Sequence, residues 1–214
     1  MLPQALESAF AQNYRPIEVI VVDDGSTDGT LDLLLRAWPQ VVCIPQPQRG
    51  VSAARNTGVA HSSGGFLAFL DSDNLWPPSG LRAAIALFEA QPRVGYVIGR
   101  RIFFLEPGQT VPGWVKPEWI GVPTDGESAG VLVVRREAWV CVGGFNTELA
   151  AGEDTEWLMR AREIGIPMAK LPEVLVYTRL HGDNLSNETF GGRRRRLLRM
   201  LRDSIHRSSK RKDP

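Results

Sequence analysis

The sequence predicts an α/β fold: a mostly parallel sheet with helices on both faces, followed by a basic C-terminal helix. Three observations carry this expectation. Short apolar runs at residues 17–22, 41–44 and 66–70 alternate with helical stretches across short joins, the signature of βαβ units in a covered sheet. Two of those runs end in carboxylates, Asp23-Asp24 and Asp71-Ser-Asp73, and open α/β sheets bind ligands at the C-terminal ends of their strands. The charge is also lopsided. Residues 193–214 hold ten Lys and Arg against two Asp, giving +8, while residues 1–192 hold 15 basic and 22 acidic residues, giving −7.

The elements follow in order. Leu2, Leu6 and Phe10 fall on one face of a helix over residues 2–13, with Ala5 and Ala9 beside them. Residues 17–22 are a β-branched run, hence a buried strand. The turn after it, Asp23-Asp-Gly-Ser-Thr-Asp-Gly-Thr30, supplies glycine for positive φ and capping residues for a helix over 31–38. Residues 41–44 are a short third element, closed by a loop holding Pro45 and Pro47. Gly50-Val-Ser-Ala-Ala-Arg-Asn-Thr-Gly58 opens the next helix, ahead of residues 66–70, which have the composition of a strand buried on both faces. Residues 78–91 form a helix with Leu81, Ile85 and Phe88 inward, and residues 94–105 a long strand interrupted by Arg100-Arg101. From 106 to 128, four prolines, four glycines and two tryptophans (Trp114, Trp119) leave no period, and a loop of that length is usually functional or mobile. Residues 131–134 are a strand, Arg136–Val142 a helix stopped by Gly143-Gly144, and residues 154–164 an amphipathic helix with Trp157, Leu158 and Ala161 on one side. Residues 174–180 are the last strand and 191–208 the last helix.

Hydrophobic content of 43% and charged content of 23% are globular values, and 214 residues suffice for a full core. The acidic body argues against nucleic acid as a partner. Cys43 and Cys141 belong to no metal-spaced set and are expected as two buried thiols in a reducing compartment. No apolar run approaches the ~20 residues of a membrane span, and the N-terminus lacks the basic and apolar regions of a signal peptide. The expected location is therefore cytoplasmic. In the tail, Leu197, Leu198, Leu201 and Ile205 form a narrow apolar stripe among arginines. That stripe fits either a terminal helix docked on the body or one lying on an anionic membrane surface at its inner face.

Five constellations carry chemistry, set beside plainer alternatives. Asp71 and Asp73 repel each other and desolvate badly without a cation, and a hard divalent ion that also grips a diphosphate answers both problems. Otherwise they form an Asx-type turn, with Asp73 capping the helix that follows. Asp24 can accept a hydrogen bond from a base imide or a ribose hydroxyl, whereas Asp28 reads as turn chemistry. Arg49 and Arg55 flank a glycine-led helix N-terminus that suits an anion, although an arginine on a helix is usually solvated. Glu153 and Asp154 begin a helix after a glycine-rich loop, where a partly dry carboxylate can be a general base or simply favour the helix dipole, as Glu156 does. His181, after the last strand, is a ligand candidate against a structural role.

Val21-Val-Asp-Asp-Gly-Ser-Thr-Asp-Gly-Thr30, Arg49-Gly-Val-Ser-Ala-Ala-Arg-Asn-Thr-Gly58, Phe69-Leu-Asp-Ser-Asp-Asn-Leu-Trp76, Gly143-Gly-Phe145 and Gly152-Glu-Asp154, in this order, resemble glycosyltransferase family 2. The resemblance runs to about residue 187 and implies a GT-A fold. Residues 1–105 would then form the nucleotide-sugar-binding half, 106–190 the acceptor-binding and catalytic half, and 191–214 the basic amphipathic tail. It implies that Asp24 contacts the base, Arg55 the base or diphosphate, Asp71 the ribose, and Asp73 a Mn²⁺ or Mg²⁺ ion, with His181 near that metal. Asp154, with Glu153 beside it, would deprotonate the acceptor hydroxyl. The implied activity is inverting, metal-dependent transfer from a nucleotide-sugar, UDP-sugar first, to a saccharide or lipid-linked hydroxyl. The family's usual first strand has no counterpart here, because Met1-Leu-Pro-Gln-Ala-Leu resembles the helix that follows it. The expectation is therefore a gap, a substitute strand or a partner between residues 17–22 and 66–70. An inactive nucleotide-sugar-binding or scaffold protein is the alternative.

Overall fold

The computed structural model describes residues 1–182, 184, 198, 200, 202–204 and 207. In chain order the first half runs α1 (Leu2–Phe10), β1 (Ile20–Asp23), α2 (Thr30–Ala37), β2 (Val42–Pro45), α3 (Val51–Ala60), β3 (Phe66–Ala68) and α4 (Gly80–Ala90). The second half runs β4 (Tyr96–Leu105), β5 (Thr124–Asp125), β6 (Leu132–Arg135), α5 (Arg136–Val142), α6 (Glu153–Glu163) and β7 (Met168–Leu180), with short 3₁₀ turns at Pro117–Trp119 and Ala129–Val131.

β4 is the hub. Its side chains alternate between two faces, as a strand's must. Tyr96 and Ile98 enter a cluster with Trp139, Trp157 and Leu158 of α5 and α6, while Val97 packs with Ala84, Ile85 and Phe88 of α4. Helices therefore cover both faces, and the α/β class holds. Trp139 stacks on Trp157 at 5.5 Å between ring centroids, and Phe145 meets Trp139 edge-on at 5.0 Å. This aromatic block seats the turn after α5 and the helix α6, the two pieces that bring Glu153 and Asp154 to the site.

The pairing is mixed rather than mostly parallel. β1 pairs with β2 and β4 with β7 in parallel, but β6 runs antiparallel to both β3 and β4, and β5 antiparallel to β4. The excursion over 106–128 brings the chain back from the C-terminal end of β4, so β5 and β6 run along it reversed. The tryptophans of that excursion are anchors: Trp114 meets Phe103 edge-on at 6.0 Å, and Trp119 stacks on it at 6.4 Å. The last strand begins six residues earlier than the apolar run at 174, because residues from Met168 onward pair with β4 from Tyr96.

β1–β2 and the five strands around β4 are separate sheets among the described residues. No ladder joins β1 to β3. Between them lies a cavity of about 1170 Å³, lined there by Ile20, Val21, Val22, Leu67, Ala68 and, from above, Leu6 of α1. Glu18 bridges one end of this slot, its Oε1 accepting from the Ser63 and Gly64 amides at 2.7 and 2.6 Å. The other end opens onto the carboxylates.

Two further readings change. Cys43 is half-buried, but Cys141 is exposed: α5 turns Ala138, Trp139 and Val142 inward, which leaves Cys141 on the outer face. Most of the tail, including Leu197, Leu201 and Ile205, lies outside the described residues. Leu198, a member of the proposed stripe, is 60% exposed, whereas Met200 is buried. Among the described residues no helix is long and apolar enough to cross a membrane.

Candidate active site

The second acidic turn is built by its neighbours. After Ala68 the strand ladder ends, and the Asn74 amide donates to the Asp71 carbonyl at 3.0 Å, closing the turn. Leu75 pairs with Tyr177 of β7 in an isolated antiparallel bridge. Arg179, 5% exposed, clamps the turn from behind. Its Nε donates to the Asp73 carbonyl at 2.7 Å, its backbone N–H donates to Asn74 Oδ1 at 2.9 Å, and its guanidinium also pairs with Glu106 and with Gln4 of α1. Sequence reading missed Arg179; an arginine ending an apolar strand run was the signal.

Asp73 points inward. Its Oδ2 lies 3.1 Å from His181 Nε2 and accepts from Asn184 Nδ2 at 3.2 Å, while its Oδ1 is buried with no hydrogen-bond partner among the described residues. A buried carboxylate oxygen without a donor is costly, and a hard cation is the partner that suits it. Among the described residues no three His, Cys, Asp or Glu side chains cluster closely enough to hold an ion by themselves. That donor set still fits Mg²⁺ or Mn²⁺, which take one or two carboxylates and complete their shells with substrate phosphates and water.

Asp24 is held differently. Its Oδ1 accepts from Gln46 Nε2 at 2.6 Å and from the Arg49 amide at 2.9 Å, and its Oδ2 accepts from the Gly50 amide at 2.7 Å. Burial pushes its carboxyl up, but these hydrogen bonds outweigh that and hold it below the ordinary value. Asp24 thus fixes the turn that opens α3 while lining the same cavity. Asp28 accepts from Thr30 and stays in the turn, as expected.

Arg55 joins the two halves. One arm donates to Asp71 Oδ1 and the other to Glu153 Oε1, each at 2.6 Å. Its Cζ lies 5.6 Å from the centroid of the Phe145 ring. Burial opposes the charge, yet the two carboxylates raise the guanidinium above its ordinary pKa. One residue further on, Asn56 ties the same helix to the turn after α5: its Nδ2 donates to the Phe145 carbonyl and its Oδ1 accepts the Phe145 amide, both at 2.8 Å. Gly144 is glycine for this reason, since a Cβ there would stand 2.7 Å from Asn56 Oδ1. Asn56→Ala is expected to cost about 1–3 kcal/mol by stranding two backbone groups, read as a lower denaturant midpoint with an unchanged slope.

Gly152 (φ +83°) caps α6 with no side-chain hydrogen bond and delivers Glu153 and Asp154 in the first turn. Burial, reinforced by the Glu153 charge, pushes the Asp154 carboxyl up to about 6; the Thr155 amide and the charges of Arg55 and Arg101 pull the other way. Asp24, Arg55, Asp71, Asp73, Glu153 and Asp154 all line the one cavity. His181 reaches it through Asp73.

Comparison with known proteins places the fold. The sequence profile described as Glycosyl transferase family 2 matches residues 1–146. Hyaluronan synthase of Pasteurella multocida is 23% identical over 214 residues, covering 96% of this chain and 22% of that protein. Among solved structures, S. aureus TarS in complex with UDP-GlcNAc aligns with a TM-score of 0.68 at 21% identity, over 86% of this chain and 56% of that one. The mannosyltransferase PcManGT from Pyrobaculum calidifontis, in complex with GDP-Man and Mn²⁺, aligns with a TM-score of 0.69 at 21% identity, over 96% and 60%. The chain therefore spans 22% of the length of this curated relative and little more than half of the two solved chains.

Proposed function

This chain belongs to glycosyl transferase family 2 and has a GT-A fold, and we propose that it moves a sugar from a nucleotide-sugar, UDP-sugar first, to a hydroxyl acceptor with inversion. The observation that carries the reading is the half-buried Asp154 carboxyl, sharing one cavity with Asp71 and Asp73 and linked to Asp71 through Glu153 and Arg55. Residues 1–105 supply the donor side, with Asp24 and the α3 N-terminus toward the base and Asp71 toward the ribose. Residues 106–190 supply the acceptor side, where Trp114 and Trp119 form part of the wall.

In this mechanism Asp154 accepts the acceptor's hydroxyl proton while the acceptor oxygen bonds to the anomeric carbon from the face opposite the leaving group. The bond from that carbon to the diphosphate breaks, and its electron pair leaves with the diphosphate. A Mn²⁺ or Mg²⁺ ion held by Asp73 and His181 would neutralise the charge of the leaving group. Arg55 fixes Glu153 and keeps its negative charge balanced beside Asp154. Because the base must be ionised, activity should rise with pH through about 6.

The test is a panel of UDP-, GDP- and dTDP-sugars, each with and without Mn²⁺, read by thermal shift and by nucleotide release. A donor at about 100 times its Kd adds about 2.7 kcal/mol of stability, so one donor class should raise the melting temperature by several degrees with Mn²⁺ and release its nucleotide. A shift without release in the presence of hydroxyl acceptors would instead favour the inactive, binding-only reading. No shift with any donor would remove both.

A further inference from the structure

The basic tail is the one sequence feature that this mechanism leaves unused, and its described residues meet α6 at two places. Met200 is 4% exposed and lines the cavity beside Gly152 and Glu153. Its Cε stands 2.7 Å from where a Cβ at Gly152 would sit, so the two are in close contact. Seven residues on, Arg207 pairs with Glu163 through Nε at 2.9 Å and Nη2 at 3.0 Å, and its Nη1 lies 3.6 Å from Glu156 Oε1. Leu198, Met200, Arg202, Asp203, Ser204 and Arg207 are helical. Of the described tail residues, Met200 thus lies against the start of α6 and Arg207 against Glu156 and Glu163 of the same helix.

That first turn needs a support from outside. The helix starts on a left-handed glycine without a side-chain cap, and its first closed hydrogen bond is Glu156 N–H to the Gly152 carbonyl, at 3.0 Å. Arg55 holds it from the donor side through Glu153. On the other side stands Met200, a flexible apolar side chain that fills irregular gaps. We infer that Met200 is a positioning residue: seated by the Arg207 ion pairs, it clamps the Gly152 turn and keeps water from the carboxylate of Asp154. The inference rests on Asp154 being the base, and it gives the tail a role in the site itself. The charges acting on Asp154 are Glu153 on its own helix, Arg55 from α3 and Arg101 from β4; no described tail residue is among them, and Met200, being uncharged, acts by exclusion.

The experiment compares the full chain with Met200→Ala, Met200→Leu and Arg207→Ala, using amide exchange and a carboxyl titration followed by NMR. In Met200→Ala the Glu156 amide should exchange at least fivefold faster while the α4 amides keep their rates. The Asp154 titration midpoint should fall toward the ordinary carboxylate range as water gains access. Met200→Leu should restore both, and Arg207→Ala should reproduce part of each. Unchanged Glu156 exchange in Met200→Ala would overturn the clamp. Faster exchange with an unmoved Asp154 midpoint would reduce the tail to a structural support and overturn the positioning role. Neither readout requires turnover, so failure of Asp154 as base, seen as transfer surviving Asp154→Asn, is separable from failure of this inference.

Discussion

Asp154→Asn should abolish transfer, by at least a hundredfold, while leaving donor affinity unchanged and raising thermal stability. The rate loss follows from chemistry: the amide keeps the shape but cannot take a proton, and general-base catalysis contributes about 10²–10⁴-fold. The stability gain follows from linkage. The folded-state pKa of about 6 lies above the ordinary value of 3.8, so between those values the folded state holds a proton that the unfolded chain has released. Stability therefore falls as pH rises across that window, and at neutral pH the charge costs on the order of 3 kcal/mol. An uncharged isostere removes that cost. A variant whose transfer rate stays within tenfold of the parent would exclude Asp154 as the base. One that loses activity and also melts lower would show that the carboxylate was holding the fold.

This combination of signs also shows which information a sequence carries. The carboxylate pairs were legible because strand ends and turn residues leave a local pattern: an apolar run that stops at Asp23-Asp24 or Asp71-Ser-Asp73 needs only its own neighbours to be recognised. The helix that carries Asp154 was legible for the same reason. Arg55 was visible as a residue, but its partners Asp71 and Glu153 lie 16 and 98 positions away, and no local period marks so distant a pair. Asn56 and Arg179 were missed because each is defined by what it ties together across the fold. The antiparallel entry of β6 escaped for a related cause. An apolar strand reads alike in both directions, so its sense is set by the 106–128 excursion, whose sequence has no period. Cys141 was misplaced because a seven-residue helix offers barely two turns in which to find its inner face.

Asp73→Ala should abolish the Mn²⁺-dependent part of UDP binding with little loss of fold. Little is lost because the side chain contributes little to the interior: its Oδ1 has no partner among the described residues, and Asn184, which donates to Oδ2, also donates to the Arg179 carbonyl at 3.1 Å and keeps that bond. The turn itself is held by backbone groups that the substitution leaves in place, among them the Asp73 carbonyl that accepts Arg179. Calorimetric titration of UDP with and without Mn²⁺ reads the effect directly. In the parent chain Mn²⁺ should strengthen binding strongly, and without it the carboxylate should repel the diphosphate. Removing Asp73 takes away both the ligand for the cation and that repulsion. The variant should therefore bind UDP with the same affinity whether or not Mn²⁺ is present, and at least as tightly as the metal-free parent. Metal-dependent affinity that survives in Asp73→Ala would place the cation elsewhere and return Asp73 to the turn-forming role that its sequence also allows.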